Sequence, residues 1–290
     1  MSICFIVNPT AGKGKGKIVA EEIYLYMKEL SIPYEVKLTT RRNEAEILAQ
    51  RAAEEGFKKI VAVGGDGTIY EVLNGIIGAD VLLGVIPAGT GNDFVRTVGI
   101  GKNIGQALHT VVYGKDKFID CGKANGRYFI NVAGVGFDTE ILKEVESIKK
   151  FLTGKWAYLA GTLKTLLYYK NKSIKISIDG QEYNKEILLA AFANGKFYGG
   201  GMKIAPAASI QDGCFDIIII HKISKWKILR LFPTIFSGQH IHVKEVSLYQ
   251  GKKITLSCDY PIPVNLDGDL VGDTPLILEI IPNAVRVLVP

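Results

Sequence analysis

Apolar positions along the chain follow two patterns that meet near Lys115. In the first part, short apolar runs at residues 1–8, 34–39, 60–63 and 81–86 alternate with stretches whose apolar residues recur every three or four positions. The runs have strand length. The helical stretches cover residues 18–30, 43–55 and 69–77, the second with Ala45, Leu48, Ala49 and Ala52 on one face and charges on the other. Strands alternating with helices predict a mostly parallel, doubly wound sheet, whose ligands sit beyond the carboxyl ends of the strands. The turns after Val7, Leu38, Val63 and Ile86 share that edge. From residue 118 onward strand-like runs dominate, at 118–121, 128–133, 173–178, 187–193, 215–221, 254–258, 264–266 and 276–281. Asp179-Gly180 reads as a hairpin turn, and two helical insertions, 154–172 and 225–237, interrupt the strands. The expected fold is therefore an α/β domain over 1–116, with 282–290 as a candidate return to it, and an all-β sandwich over 117–281.

A chain of 290 residues, 48% hydrophobic and 22% charged, suits two ordinary globular domains. No apolar run reaches transmembrane length, and residues 1–8 read as a first strand rather than a signal peptide. Cys4, Cys121, Cys214 and Cys258 are scattered without metal spacing or disulfide-scaffold density, so a reduced, cytoplasmic protein is expected. The histidines His109, His221, His240 and His242 form no ligand pattern with cysteine or acid. A net charge of +6 suits a nucleotide, nucleic acid or an anionic membrane surface. Nucleic acid is the weakest of these, because no aromatic-studded basic groove motif is present.

The chemistry concentrates in turns. Gly64-Gly65-Asp66-Gly67-Thr68 ends a strand and opens a helix. Glycines allow a backbone or phosphate to approach closely, and amides at a helix start bind negative charge. A carboxylate among such amides is explained by magnesium bridging it to a nucleotide. Asn8-Pro9-Thr10-Ala11-Gly12, followed by Lys13 and Lys15, has the same strand–turn–helix layout. Its spacing matches neither the P-loop nor the dinucleotide fingerprint, and a flexible basic turn is the plainer alternative. For Asp93 the alternative is a helix N-terminal cap ahead of Phe94. Asp267-Gly268-Asp269 is by itself an ordinary hairpin turn, and residues 209–214 an ordinary type I turn.

Taken in order, Asn8–Gly12, Gly64–Thr68, Pro87-Ala88-Gly89-Thr90-Gly91-Asn92-Asp93, Asn131-Val132-Ala133-Gly134-Val135-Gly136-Phe137-Asp138, Asp212-Gly213-Cys214-Phe215-Asp216 and Asp267-Gly268-Asp269 resemble the motifs of the diacylglycerol-kinase-like lipid kinases, a family that includes the sphingosine and ceramide kinases. The resemblance spans nearly the whole chain. It implies an N-terminal α/β nucleotide-binding domain and a C-terminal β-sandwich, with the active site in the cleft between them. It also implies ATP- and magnesium-dependent phosphorylation of a lipid hydroxyl. Asn8, Pro9, Thr10, Ala11, Gly12, Thr40, Gly64, Gly65, Asp66, Gly67, Thr68 and Thr90 would hold the nucleotide, with Asp66 beside phosphates and magnesium and Asp93 helping through water. Asp267 or Asp269 would take the proton from the lipid hydroxyl; the family's usual form is Asp-Gly-Glu, so Asp269 departs by one methylene and both stay in play. Ser209, Asp212 and Cys214 match a structural magnesium loop. Asn43-Glu44-Ala45 replaces a frequent Gly-His-Ala, a change expected to alter the helix start only.

The expected activity is conversion of diacylglycerol to phosphatidic acid in phospholipid metabolism. The alternatives are phosphatidylglycerol, a sphingoid base or NAD as acceptor, or a catalytically silent nucleotide- and lipid-binding regulator. Lys149–Trp156 and residues 222–232 place both tryptophans among lysines, as transient docking on an anionic inner membrane surface would favour. Ordinary amphipathic helices packed on the sandwich would read the same way. A homodimer is compatible with the pattern and not demanded by it.

Overall fold

Ile3–Val7 (β1) is buried at every position, so it reads as an unbroken apolar run with no alternation. In the computed structural model, which describes residues 2–148, 164–165 and 169–290, this strand lies at the centre of a parallel sheet. It is followed by α1 (Ala11–Lys28), β2 (Tyr34–Leu38), α2 (Glu44–Glu54), β3 (Lys59–Gly64), α3 (Asp66–Ile76), β4 (Leu82–Pro87), α4 (Asp93–Val98) and α5 (Ile104–Tyr113). The order across the sheet is β4-β3-β1-β2, all parallel. β3 and β4 are also buried throughout, as strands covered on both faces must be. Lys59 is the polar exception in β3. Its ammonium donates to the carbonyls of Val111 and Val112, both at 2.8 Å, at the carboxyl end of α5. That end of a helix carries unpaired carbonyls and attracts a cation, while burial pulls the lysine pKa down.

The chain then enters β5 (Lys115–Ala124), β6 (Arg127–Phe129), β7 (Val132–Gly136), α6 (Phe137–Ile148), β8 (Lys172–Ile178), β9 (Gln181–Ala193), β10 (Phe215–His221), α7 (Lys225–Leu231), α8 (Thr234–Ser237), a 3-10 turn at Gln239–His242, β11 (Val246–Gly251), β12 (Lys253–Ser257), β13 (Pro263–Leu266), β14 (Asp269–Asp273) and β15 (Leu276–Val289). The chain divides into two units, Met1–Cys121 with Pro282–Pro290, and Gly122–Ile281. The second unit is antiparallel, in the order β14-β13-β7-β9-β8-β12-β15, and β10 lies between β9 and β11. The long β9 serves two sets of partners: its first half pairs with β8 and its second with β7 and β10. This is a β-sandwich. The end of β15 belongs to the first unit, where Arg286 and Val287 pair in parallel with Leu82 and Leu83 of β4.

Differences from the sequence pattern have local causes. α1 starts earlier than the expected 18–30, because Gly12, Lys13 and Gly14 form a left-handed turn ahead of the regular helix. The expected helix 225–237 is two, broken at Pro233, whose ring cannot continue a helix interior. The strands β11 and β14 are additions to the expected set. The first half of β9 is largely exposed and polar, which hides it from an apolar-run reading. Most of the expected helix 154–172, and Lys149–Trp156 with Trp156, lie outside the described residues.

Candidate active site

Three turns of the first unit meet through close backbone contacts. Gly12 sits at φ +57°, and a Cβ there would lie 2.1 Å from the carbonyl oxygen of Ala88. A Cβ on Gly89 would lie 2.3 Å from the Cα of Gly65. Only glycine permits both approaches. The amides of Ala88 and Gly89 also donate to the Gly64 carbonyl, at 2.8 and 3.0 Å. The β1–α1, β3–α3 and β4–α4 turns are thus fixed against one another at one sheet edge, as the strand ends require.

Asn8 organises the first turn. Its Oδ1 accepts from the Thr10 amide at 3.1 Å and the Thr10 hydroxyl at 2.8 Å, and its Nδ2 donates to Thr68 Oγ1 at 3.4 Å. Beside it lies a pocket with about 560 Å³ of empty space, part of it open solvent, lined by Asn8, Thr10, Thr39, Thr40, Arg41, Arg42, Ala45, Thr68 and Glu71. Four of the expected nucleotide-binding residues, Asn8, Thr10, Thr40 and Thr68, come together here. Thr90 does not line it; it is exposed on the β4–α4 turn. Arg41 and Arg42 join the expected residues, and two arginines directly after a strand end at the ligand edge are a signal the sequence carries.

The Asn43-Glu44-Ala45 departure reaches this pocket, contrary to expectation. Glu44 Oε2 accepts from the Thr40 amide at 2.5 Å, the Thr40 hydroxyl at 2.8 Å and the Arg41 amide at 3.3 Å. These bonds hold its carboxyl below the usual range. Asn43 is in the left-handed region at φ +63°, where glycine is the easiest residue and asparagine the best tolerated alternative.

Asp66 opens α3, and its Oδ1 accepts from the amides of Asp93 at 2.8 Å and Phe94 at 3.2 Å. It therefore caps α4 from another turn. Asp93 is not the cap itself: Asn92 occupies that position, in the left-handed conformation and without a side-chain capping bond, and Asp93 is the first helical residue, buried. Burial drives the Asp66 pKa upward, and the amides of Phe94, Asp93 and Asn92 oppose it. Arg96 clamps the same turn, its Nη1 donating to the carbonyls of Gly91 at 2.7 Å and Asn92 at 3.2 Å.

In the second unit, Asp267 and Gly268 form a two-residue hairpin turn at φ +50° and +100°, pairing Leu266 with Asp269. Asp267 Oδ2 accepts from the Ile130 amide at 2.7 Å, and Oδ1 from the amides of Asn131 and Val132, both at 2.9 Å. Both oxygens of this carboxylate are thus engaged with backbone. Asp269, the first residue of β14, is half-buried. Nearby, Asn265 accepts from the Gly268 amide at 2.8 Å and donates to Asp138 Oδ2 at 3.3 Å. Asp138 is buried with its Oδ1 unpaired, and burial raises its pKa to about 6.

The 209–214 turn closes on itself: Asp212 Oδ1 accepts from the Cys214 amide at 3.1 Å, and Gly213 takes φ +69°. Ser209 and Asp212 are exposed and Cys214 half-buried. Among the described residues no three His, Cys, Asp or Glu side chains are grouped to hold a metal ion. Nor is any helix among them long and apolar enough to cross a membrane.

Two family models match the chain. One, described as the diacylglycerol kinase catalytic domain, covers residues 2–124; the other, the YegS C-terminal NAD kinase beta sandwich-like domain, covers 131–289. A diacylglycerol kinase of Bacillus subtilis (strain 168) is 34% identical over 273 residues, 93% of this chain and 90% of its own. One of Mycobacterium tuberculosis (strain H37Rv) is 33% identical over 292 residues, 98% of this chain and 94% of its own. A crystal structure from Bacillus anthracis str. Sterne, of a protein assigned provisionally as a diacylglycerol kinase, superposes with a TM-score of 0.84 at 27% identity, covering 100% of this chain and 97% of that one.

Proposed function

The chain belongs to the diacylglycerol-kinase family of lipid kinases, and on that premise we propose that it transfers the γ-phosphoryl group of ATP, with magnesium, to the free hydroxyl of diacylglycerol, giving phosphatidic acid. The observation that carries this reading is the pocket of Asn8, Thr10, Thr40 and Thr68, set beside glycine turns that bring Asp66 and Asp93 together. Asn8 and Thr10 fix the first turn, and Thr40 and Thr68 offer hydroxyls to the nucleotide. Arg41 and Arg42 supply positive charge for an anion. Phosphoryl transfer needs positioning and charge neutralisation above all, which such a set can provide.

Asp66 and Asp93 are hard oxygen donors on adjoining turns, and one or two carboxylates completed by substrate phosphates is the donor set that suits magnesium. When bound with the nucleotide, magnesium neutralises charge developing on the transferred group. Pro9, Ala11, Gly12, Gly64, Gly65, Gly67 and Thr90 would complete the turns that hold the nucleotide. At the 209–214 turn, Asp212 with the carbonyls of Ser209 and Cys214 would hold a second, structural magnesium; the hard-oxygen chemistry fits, while the turn is already closed by its own hydrogen bond.

For proton removal we assign Asp269. Both oxygens of Asp267 are taken up by three backbone amides, which fix it in place. Asp267 then acts as a positioning residue that sets the hairpin from which Asp269 projects. The enzyme works at the inner, cytoplasmic membrane surface, where its acceptor resides.

Radiolabelled ATP offered with diacylglycerol, phosphatidylglycerol, a sphingoid base and NAD tests the whole reading. Magnesium-dependent label in phosphatidic acid is expected. Label in another acceptor alone would reassign the substrate, and label in none would sink the activity.

A further inference from the structure

The hairpin that carries Asp269 is held at two points. Asp267 ties its first residue to the amides of Ile130, Asn131 and Val132. Asn265 ties its middle, with Oδ1 accepting from the Gly268 amide at 2.8 Å. An asparagine side chain accepts at one end and donates at the other. With Oδ1 committed to Gly268, Nδ2 faces Asp138 and donates to its Oδ2 at 3.3 Å. Asn265 is buried, so leaving that donor unmet would cost free energy. Asp138 stands in the first turn of α6, and its carboxyl lies against Gly134 of β7, the register partner of Asn265. A Cβ on Gly134 would lie 2.0 Å from Asp138 Oδ2. Only glycine leaves room for the carboxyl at that point of the strand.

Packing alone does not account for an acid at this position. Asp138 is 2% exposed, and its Oδ1 has no hydrogen-bond partner among the described residues. It also borders an apolar cavity, beside Phe137, Ile141 and Leu189. Burial raises its pKa to about 6, against the Asn265 bond and the amides of Thr139 and Asp138. An apolar side chain of similar size would avoid that cost. A carboxylate early in a helix gains from the helix dipole, but Glu140 already stands in the same turn. We propose that Asp138 is a positioning residue for proton removal: it orients Asn265, which holds the Gly268 peptide and so sets where Asp269 projects. Oδ2 accepts whether or not Oδ1 carries a proton, so the hold does not depend on ionisation. Every member of this relay lies in the second unit. The kinetic part of the inference rests on the reading of Asp269 as the base.

The test uses the full chain in four variants. Asp138→Leu keeps the size and loses the acceptor, Asp138→Asn keeps an acceptor, Asn265→Ala removes the link, and Asp138→Leu with Asn265→Ala closes the cycle. With ATP and diacylglycerol, Asp138→Leu should lower kcat by about 10- to 100-fold, the scale of a reacting group misplaced by about 1 Å. The KM for ATP should stay within about twofold, and the melting temperature close to that of the parent chain. Asp138→Asn should keep kcat within about threefold. The double variant should be no slower than Asn265→Ala, because one loss acts through the other. A second readout needs no turnover. Labelling with carbonyl-13C aspartate and 15N-glycine selects the Asp-Gly peptides in NMR spectra, Asp267-Gly268 among them. The Gly268 amide should exchange with solvent about tenfold faster or more in Asp138→Leu and in Asn265→Ala, and near the parent rate in Asp138→Asn. Should the leucine variant fail to fold, Asp138→Ala replaces it in every arm. An unmoved Gly268 amide, additive losses in the double variant, or a leucine variant that loses stability and keeps kcat would each overturn the inference. A chain that phosphorylates no lipid while Gly268 responds as expected refutes only the activity. An active lipid kinase whose Gly268 amide ignores Asp138 refutes only the positioning.

Discussion

Asp66 and Asp267 occupy turns that look alike in sequence, each an aspartate beside glycine after a buried strand, and each binds backbone amides from a distant segment. The difference lies in how completely. Asp66 takes Asp93 and Phe94 at the start of a helix through Oδ1, with the Asn92 amide also bearing on the carboxylate, in the unit whose turns form the polar pocket. Asp267 gives both oxygens to three consecutive amides of an extended segment, Ile130 to Val132. A fully engaged carboxylate is a fastener; a partly engaged one can still serve chemistry. On this view the second unit separates fastening, at Asp267, from reaction, at Asp269, whereas Asp66 combines the two.

The largest effect is expected from Asp269→Asn, which should lower kcat by about 10²–10⁴-fold with the melting temperature unchanged, as loss of a general base does. If Asp269→Asn turns over normally while Asp267→Asn is dead at full stability, the roles are reversed and the comparison fails. The next effect concerns pH. Burial raises Asp138 to about 6 from 3.8, so the folded chain keeps a proton that the unfolded chain has released. The stability it contributes is full below about 4 and is lost as pH rises to about 6, a span of about 3 kcal/mol. Denaturant titrations of Asp138→Asn should show that slope flattened. Asp267→Asn should cost about 1–3 kcal/mol, because an amide group cannot accept at both ends from three donors, while activity per folded molecule falls much less than in Asp269→Asn. The smallest effect belongs to Glu44→Ala, which frees Thr40 and should raise the KM for ATP about twofold to fivefold with little change in kcat, since an exposed charge-assisted bond contributes little.

Much of the fold is legible in the sequence because its causes are local. Unbroken apolar runs at β1, β3 and β4 announce strands covered on both faces, and glycines at 12, 64, 65 and 89 announce turns that must come close. The order β4-β3-β1-β2 is not legible, since it depends on contacts between distant runs. Nor are β11 and β14, which are short, partly exposed strands with little apolar content to mark them. At the site, residue identities come through and hydrogen-bond partners do not. Nothing at Asp93 says that another turn supplies its helix cap, and nothing at Glu44 says that it reaches back to Thr40. Such pairings are made by tertiary placement, so a sequence shows the carboxylates without showing which of them are already occupied.

The path of β15 bears on how the chain comes to be folded in a cell. Residues 282–290 complete the parallel sheet beside β4, yet they leave the ribosome only after the whole of residues 122–281. Until then the first unit has β4 as an open edge, the kind of exposed ladder that recruits wrong partners. The buried runs of β1, β3 and β4 must wait as an unfinished sheet while the sandwich is being synthesised. Timing of translation across the second unit then sets how long that edge of the first unit stays open.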